Sequence, residues 1–189
     1  MNGIDSEGWF KGVMQIPSPN FDLRPVGSEV SLIVIHSISL PPGVFSGSGV
    51  TSLFTSALDP ARHDFYRSID RLRVSAHLFV RREGAVVQYA PLSARAWHAG
   101  VSRWNGRDRC NDFSIGIELE GSDDSEYSDA QYRSLFLLLE ELLRHYPVSQ
   151  IVGHEDIAPG RKTDPGPFFD WMLLASRFSC VGRKLGNSS

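Results

Sequence analysis

Cysteine is scarce in this 189-residue chain, which has only Cys110 and Cys180. A disulfide framework is thereby excluded as the organising device, and the CxxC spacing of many thiolate metal sites is missing. Long apolar runs are missing too, since nothing approaches the roughly 18 apolar residues of a membrane span. The start, Met1-Asn2-Gly3-Ile4-Asp5-Ser6-Glu7, has neither the basic opening nor the apolar stretch of a secretory signal. Positive charge is not in excess either. Lys and Arg number 19 against 22 Asp and Glu, a net charge of −3, whereas general nucleic-acid binding needs a basic surface. These absences predict a protein of a reducing compartment, for a bacterial chain the cytoplasm, with no nucleic-acid and no membrane partner.

What is present fits an ordinary globular chain, 41% hydrophobic and 22% charged. The length predicts a single domain over 1–189, with a core from about 9 to 178 and a flexible polar tail over 182–189. Leu32-Ile33-Val34-Ile35 is a short β-branched run that predicts a buried strand. The breaker-rich stretch from Pro41 to Gly49 predicts a loop. Apolar segments at 77–80 and 85–89 around Glu83-Gly84 predict a hairpin, and the alternation from Phe113 to Leu119 predicts another strand. Helical spacing of Tyr132, Leu135, Phe136, Leu139, Leu142, Leu143 and Tyr146 predicts a helix from Asp129 to Tyr146. Ser128 and Gln131 form its capping box, and Pro147 stops it. Ile151-Val152-Gly153 predicts a short strand, and Phe168 to Phe178 a second helix. Strands and helices mix without strict alternation, so the expected class is α/β (α+β), a central mixed β-sheet flanked by helices.

The chain has six histidines, and two share a setting. His36 directly follows one predicted strand and His154 another, so both project from a sheet edge where sites are assembled. Asp164 follows His154 by ten residues in the stiff segment Lys162-Thr163-Asp164-Pro165-Gly166-Pro167. Two imidazoles and a carboxylate make a catalytic zinc set with a fourth position left for water. The spacing equally suits two hydrogen-bonded histidines and a turn aspartate, because it is not the helical HExxH signature. His77 reads as a satisfied core residue, and His63 and His145 as surface residues.

Five segments carry a resemblance: Val34 to Gly43, Arg73-Val74-Ser75-Ala76-His77, Arg95 to Ser102, Asn111 to Gly121, and Gly153-His154 through Pro167. Together they resemble the AmpD family of cytoplasmic N-acetylmuramoyl-L-alanine amidases of cell-wall recycling, over about Trp9 to Trp171. That superfamily includes T7-lysozyme-like amidases and animal peptidoglycan recognition proteins (PGRP), so the resemblance implies a T7-lysozyme/PGRP-like amidase fold. It implies Zn2+ held by His36, His154 and Asp164, the set the residues themselves suggest. It further implies that Glu118 is the general base taking a proton from zinc-bound water, and that Lys162 stabilises the tetrahedral oxyanion. Strand alternation puts Glu118 on the face of Gly116 and Ser114, away from Ile115 and Ile117.

Arg95, Arg103, Arg107 and Arg109 cluster with Trp97 and Trp104. Arginine forks suit carboxylates and indole faces suit sugars, both of which muramyl peptides carry. By resemblance Arg73 and Arg109 contact the substrate. Trp97, His98 and Ser37 are further candidate contacts. Ser37 stands where family members often have Asn, and Gly160 where they often have Glu. The implied reaction is hydrolysis of the amide between the lactyl group of 1,6-anhydro-N-acetylmuramic acid and L-alanine. The implied partners are small soluble anhydro-muramyl peptides, met by a monomer. Loss of such an amidase raises the signal that induces β-lactamase. The rival is a non-catalytic recognition module that has lost a metal ligand. It is disfavoured because every ligand position and Glu118 are filled.

Overall fold

The apolar runs of the sequence become the strands of one central sheet. The computed structural model describes residues 3–182; of the expected tail, residues 183–189 lie outside the described residues. In chain order, short strands β1 (Met14–Gln15) and β2 (Phe21–Asp22) precede the long strand β3 (Leu32–Ile38). Two short helices follow, α1 (Gly49–Phe54) and α2 (Asp64–Ile69), then strands β4 (Leu78–Val80) and β5 (Val86–Gln88). Next come β6 (Arg95–Ala96), β7 (Arg103–Trp104) and β8 (Arg107–Asp108), and a 3₁₀ turn at Cys110–Asp112 leads into β9 (Ser114–Glu120). The remaining elements are α3 (Asp129–His145), β10 (Gln150–Gly153), α4 (His154–Ile157) and α5 (Trp171–Arg177).

The sheet runs β1-β5-β4-β9-β3-β10. β9 is parallel to both β3 and β4, and β10 is parallel to β3. The β4–β5 pair is antiparallel, the hairpin expected around Glu83-Gly84, so the sheet is mixed. β7 and β8 form a separate hairpin, and β2 pairs with β6.

Both faces of the sheet centre are covered, which is why its strands read as nearly continuous apolar runs. On one face Ile33, Ile35, Ile115, Ile117, Leu119 and Ile151 pack with Leu135, Leu138, Leu139 and Leu142 of α3. Each such fully buried aliphatic side chain contributes about 1.5–3 kcal/mol. On the other face Leu32, Val34 and Val152 lie under Ala99, Cys110, Phe113 and Ile157. Further along it, Phe79 and Val87 lie under Leu53 and Phe54 of α1. The capping box of Ser128 and Gln131 starts α3 as its sequence predicts. No helix among the described residues is long and apolar enough to cross a membrane.

Three differences from the sequence reading have physical causes. β3 runs past its apolar part to Ile38 because β9 supplies ladder partners along its whole length. The last helix begins at Trp171 rather than Phe168, since the Asp170 carboxylate caps it by accepting from Leu173 N–H at 2.8 Å. α1 breaks the predicted loop at Gly49, where an added Cβ would sit 2.3 Å from the Leu40 carbonyl oxygen, so only glycine fits.

Candidate functional site

Parallel pairing brings the C-terminal ends of β9, β3 and β10 together, the edge where open α/β sheets assemble sites. His36 is the register partner of Glu118 on β9. Ile35 is the partner of Gly153, so His154, the next residue, starts α4 beside His36. Asp164 arrives on the following loop, whose backbone is tied back by a Glu155 N–H to Asp164 C=O bond of 2.9 Å.

The three side chains converge. His36 Nδ1 lies 2.9 Å from His154 Nδ1 and 3.1 Å from Asp164 Oδ2, and His154 Nδ1 lies 3.0 Å from the same oxygen. The opposite nitrogens fix the tautomers. His154 Nε2 is 3.1 Å from the Ala99 carbonyl oxygen, so it carries the proton. His36 Nε2 is 2.9 Å from His98 Nδ1, and His98 Nε2 faces Ser114 Oγ at 3.2 Å. Ser114 donates its own proton to the Cys110 carbonyl at 2.6 Å, which leaves His98 Nδ1 the acceptor and His36 Nε2 the donor. Both Nδ1 lone pairs therefore point, unprotonated, at one another and at a carboxylate. A metal cation would satisfy that arrangement, and the His₂-carboxylate donor set suits zinc. The three ligand atoms form the one group among the described residues arranged to hold a metal ion.

The electrostatics agree. Burial lowers the His36 pKa to about 4, helped by the neighbouring His154, so the ring stays neutral near pH 7. Burial alone would raise the Asp164 carboxyl, but hydrogen bonds and charge from His154 and His36 outweigh it and hold it far below the usual range. Glu118 is buried, and its Oε2 has no hydrogen-bond partner. Burial and then the Asp164 charge push its pKa well above the usual carboxylate value, with Lys162 pulling the other way.

A cavity of about 280 Å³ opens onto this cluster. Ser37, Trp97, His98, Glu118, His154, Lys162 and Asp164 line its polar side, and Leu40, Leu53, Phe54, Phe65, Ile69, Leu72 and Val74 its apolar side. A larger hollow of about 540 Å³ beside Leu40 contains none of the three converging side chains. The arginine cluster expected from sequence is divided. Arg95 is held by Asp22 and Asp112, Arg103 faces Asp108, and Arg107 lies over the Phe113 ring. Trp104 turns away to Gln150. Arg73 is exposed between the cavity-lining Leu72 and Val74, while the exposed Arg109 reaches Asp112 at 3.3 Å. Trp97 donates to Asp22 Oδ1 at 3.2 Å, which orients the indole at the rim. His77 is fully buried and neutral, accepting from Gly116 N–H at 3.0 Å and facing the Ala94 carbonyl at 3.1 Å.

Sequence reasoning missed the supports of this site. Asn111 Oδ1 accepts from both His98 N–H and Ala99 N–H, at 3.2 and 2.8 Å. Arg161 donates to the Ala99 and Val101 carbonyls at 2.8 and 2.6 Å. The apolar wall from α1 and α2 was missed because six-residue helices are too short to show a period.

The family model described as N-acetylmuramoyl-L-alanine amidase matches residues 26–167. The chain is 54% identical to the 1,6-anhydro-N-acetylmuramyl-L-alanine amidase AmpD of Escherichia coli strain K12, over 87% of this chain and 91% of that one. The crystal structure of a selenomethionine AmpD derivative is similar with a TM-score of 0.89 and 51% identity, covering 92% of this chain and 97% of the other. The E. coli amidase AmiD, in complex with its substrate anhydro-N-acetylmuramic acid-L-Ala-D-γ-Glu-L-Lys, is similar with a TM-score of 0.61 and 28% identity. It covers 92% of this chain and 65% of that one.

Proposed function

The chain belongs to the N-acetylmuramoyl-L-alanine amidase family, and on that premise we propose that it is a zinc-dependent amidase of soluble muropeptides. The bond hydrolysed is the amide between the lactyl group of 1,6-anhydro-N-acetylmuramic acid and L-alanine, as the name of its E. coli relative suggests. The carrying observation is the meeting of two proton-free Nδ1 atoms and a carboxylate within about 3 Å, at the floor of the cavity that Glu118 and Lys162 also line.

His36, His154 and Asp164 would hold the metal. Zinc there supplies a Lewis acid that brings the pKa of water down to about 7. Glu118 acts as the general base. Its unpartnered oxygen, in the wall of the cavity, is placed to take a proton and later to return it to the leaving amine. The Lys162 ammonium, on the same wall, compensates the negative charge that develops on the carbonyl oxygen. Ser37 and Trp97 line the cavity and meet the sugar and lactyl part, while the exposed Arg73 and Arg109 bind substrate carboxylates. The chain works as one domain in the cytoplasm, on imported wall fragments, and so restrains β-lactamase induction.

Protein purified without chelator is expected to carry one zinc per chain and to release peptide from anhydro-muramyl-tripeptide. A chelator should abolish release and added zinc restore it. Full activity in the metal-depleted protein would overturn the reading.

A further inference from the structure

His98 is the best-connected side chain around the metal ligands, and no nitrogen of its ring is left for a substrate. Nδ1 accepts from His36 and Nε2 donates to Ser114, which passes its own proton to the Cys110 carbonyl. The ring is nine-tenths buried. It sits over Gly116, where an added Cβ would lie 2.4 Å from His98 Cγ, so the middle of β9 is kept bare to receive it. Its backbone is clamped by Asn111, and the adjacent Ala99 carbonyl accepts the Nε2 proton of the other histidine ligand.

We infer that His98 is a positioning residue of the metal site. Through the chain His36, His98, Ser114 and Cys110 C=O, it fixes the proton of His36 on Nε2 and so presents Nδ1 bare to the ion. The inference rests on the zinc reading above. An imidazole ligand whose second nitrogen lacks an acceptor can place its proton on either nitrogen and turn about its side-chain bonds. Outer partners of this kind are typically worth about 10–100-fold in metal affinity.

The test is zinc affinity, by competition with a chromophoric chelator, for wild type, His98→Leu, His98→Asn and Ser114→Ala, with apo-protein melting temperatures taken alongside. Asparagine places an acceptor oxygen near the position of Nδ1, and leucine offers none. His98→Leu is expected to bind zinc about 10–100-fold more weakly and His98→Asn to recover most of that loss, at matched apo-protein melting temperatures. Ser114→Ala, which touches no ligand, should lie between them. Should His98→Leu fail to fold, Ser114→Ala and His98→Asn still decide the question. Wild-type affinity in Ser114→Ala or in His98→Leu would overturn the inference, and so would asparagine binding no better than leucine. Wild type that takes up no zinc would overturn the metal reading itself, an outcome distinct from the others.

Discussion

His36 and Glu118 are register partners across the parallel strands β3 and β9. One ladder therefore sets the spacing between the first proposed ligand and the proposed base, and neither depends on a loop for its position. β10 adds His154 at the same edge, so only Asp164 and Lys162 come from irregular chain.

Glu118→Gln keeps the shape of the side chain and removes its ability to take a proton. Turnover should fall about 10²–10⁴-fold, while zinc content stays at one per chain. Near wild-type kinetics with metal intact would assign the proton to another group.

Asp164→Ala removes the one anionic member of the proposed ligand set. Two neutral imidazoles hold zinc poorly, so the variant should lose most of its metal on dialysis and its activity with it. A variant that keeps one zinc per chain and full turnover shows that Asp164 is not a ligand.

His77 makes stability depend on pH. Burial first, and then the Arg24 charge, lower its pKa in the folded protein from 6.5 to about 3. Above the unfolded pKa both states carry it neutral, and its contribution is complete. Below about 6.5 the unfolded chain gains a proton that the folded one refuses, so stability falls toward pH 3 by up to about 1.4 kcal/mol per unit. Urea unfolding of metal-free protein at pH 7.5 and 5.0 should show a smaller pH loss in His77→Asn than in wild type. Equal losses in the two proteins would count His77 out.

Much of the fold was legible because the sheet centre and α3 follow simple periods. Leu32 to Ile35 and Ile151 to Val152 are buried on both faces, and Ser128 with Gln131 marks the start of α3. The alternation of β9 also placed Glu118 on the face of Gly116 and Ser114, but the space beside Gly116 is filled by the His98 ring and not by substrate. Composition could not separate half-buried arginines pinned by internal partners from exposed ones. Arg95 looks like Arg109 in sequence, yet it is pinned between Asp22 and Asp112, one of them 73 residues away in the chain. The tautomer chain was illegible too, since its first link joins His36 to His98, 62 residues apart, which no local spacing encodes.

The loop over 41–49 is fastened to the strand that bears Glu118. Glu120 accepts from Ser46 N–H at 2.6 Å and from Arg82 N–H at 3.0 Å, and the Arg82 guanidinium lies over the Phe45 ring. Charge-assisted bonds of this kind are worth about 1.5–3 kcal/mol. Glu120→Ala should speed amide hydrogen exchange at 44–48 by an order of magnitude or more while leaving α3 unchanged. Bound product should slow exchange across 41–60, because Leu40 and α1 line the cavity. Identical exchange with and without product would make the segment a passive connector.

The last expectation concerns the size of the substrate. The cavity beside the ligands is about 280 Å³, with an apolar wall from α1 and α2 on one side and the Trp97 rim on the other. That volume suits a small fragment, one sugar with its lactyl group against the apolar wall. In the proposed reading the exposed guanidiniums of Arg73 and Arg109 each take one peptide carboxylate, which a short free fragment offers and a cross-linked wall largely does not. Purified protein should therefore release peptide rapidly from anhydro-muramyl-tripeptide and only slowly from insoluble sacculi, with the ratio taken per cleavable bond. On the proposed carboxylate-binding role, Arg109→Ala should raise KM for the tripeptide more than it lowers kcat, since such a contact serves ground state and transition state alike. Equal rates per bond on fragment and wall would defeat the soluble-substrate assignment, whatever the metal content.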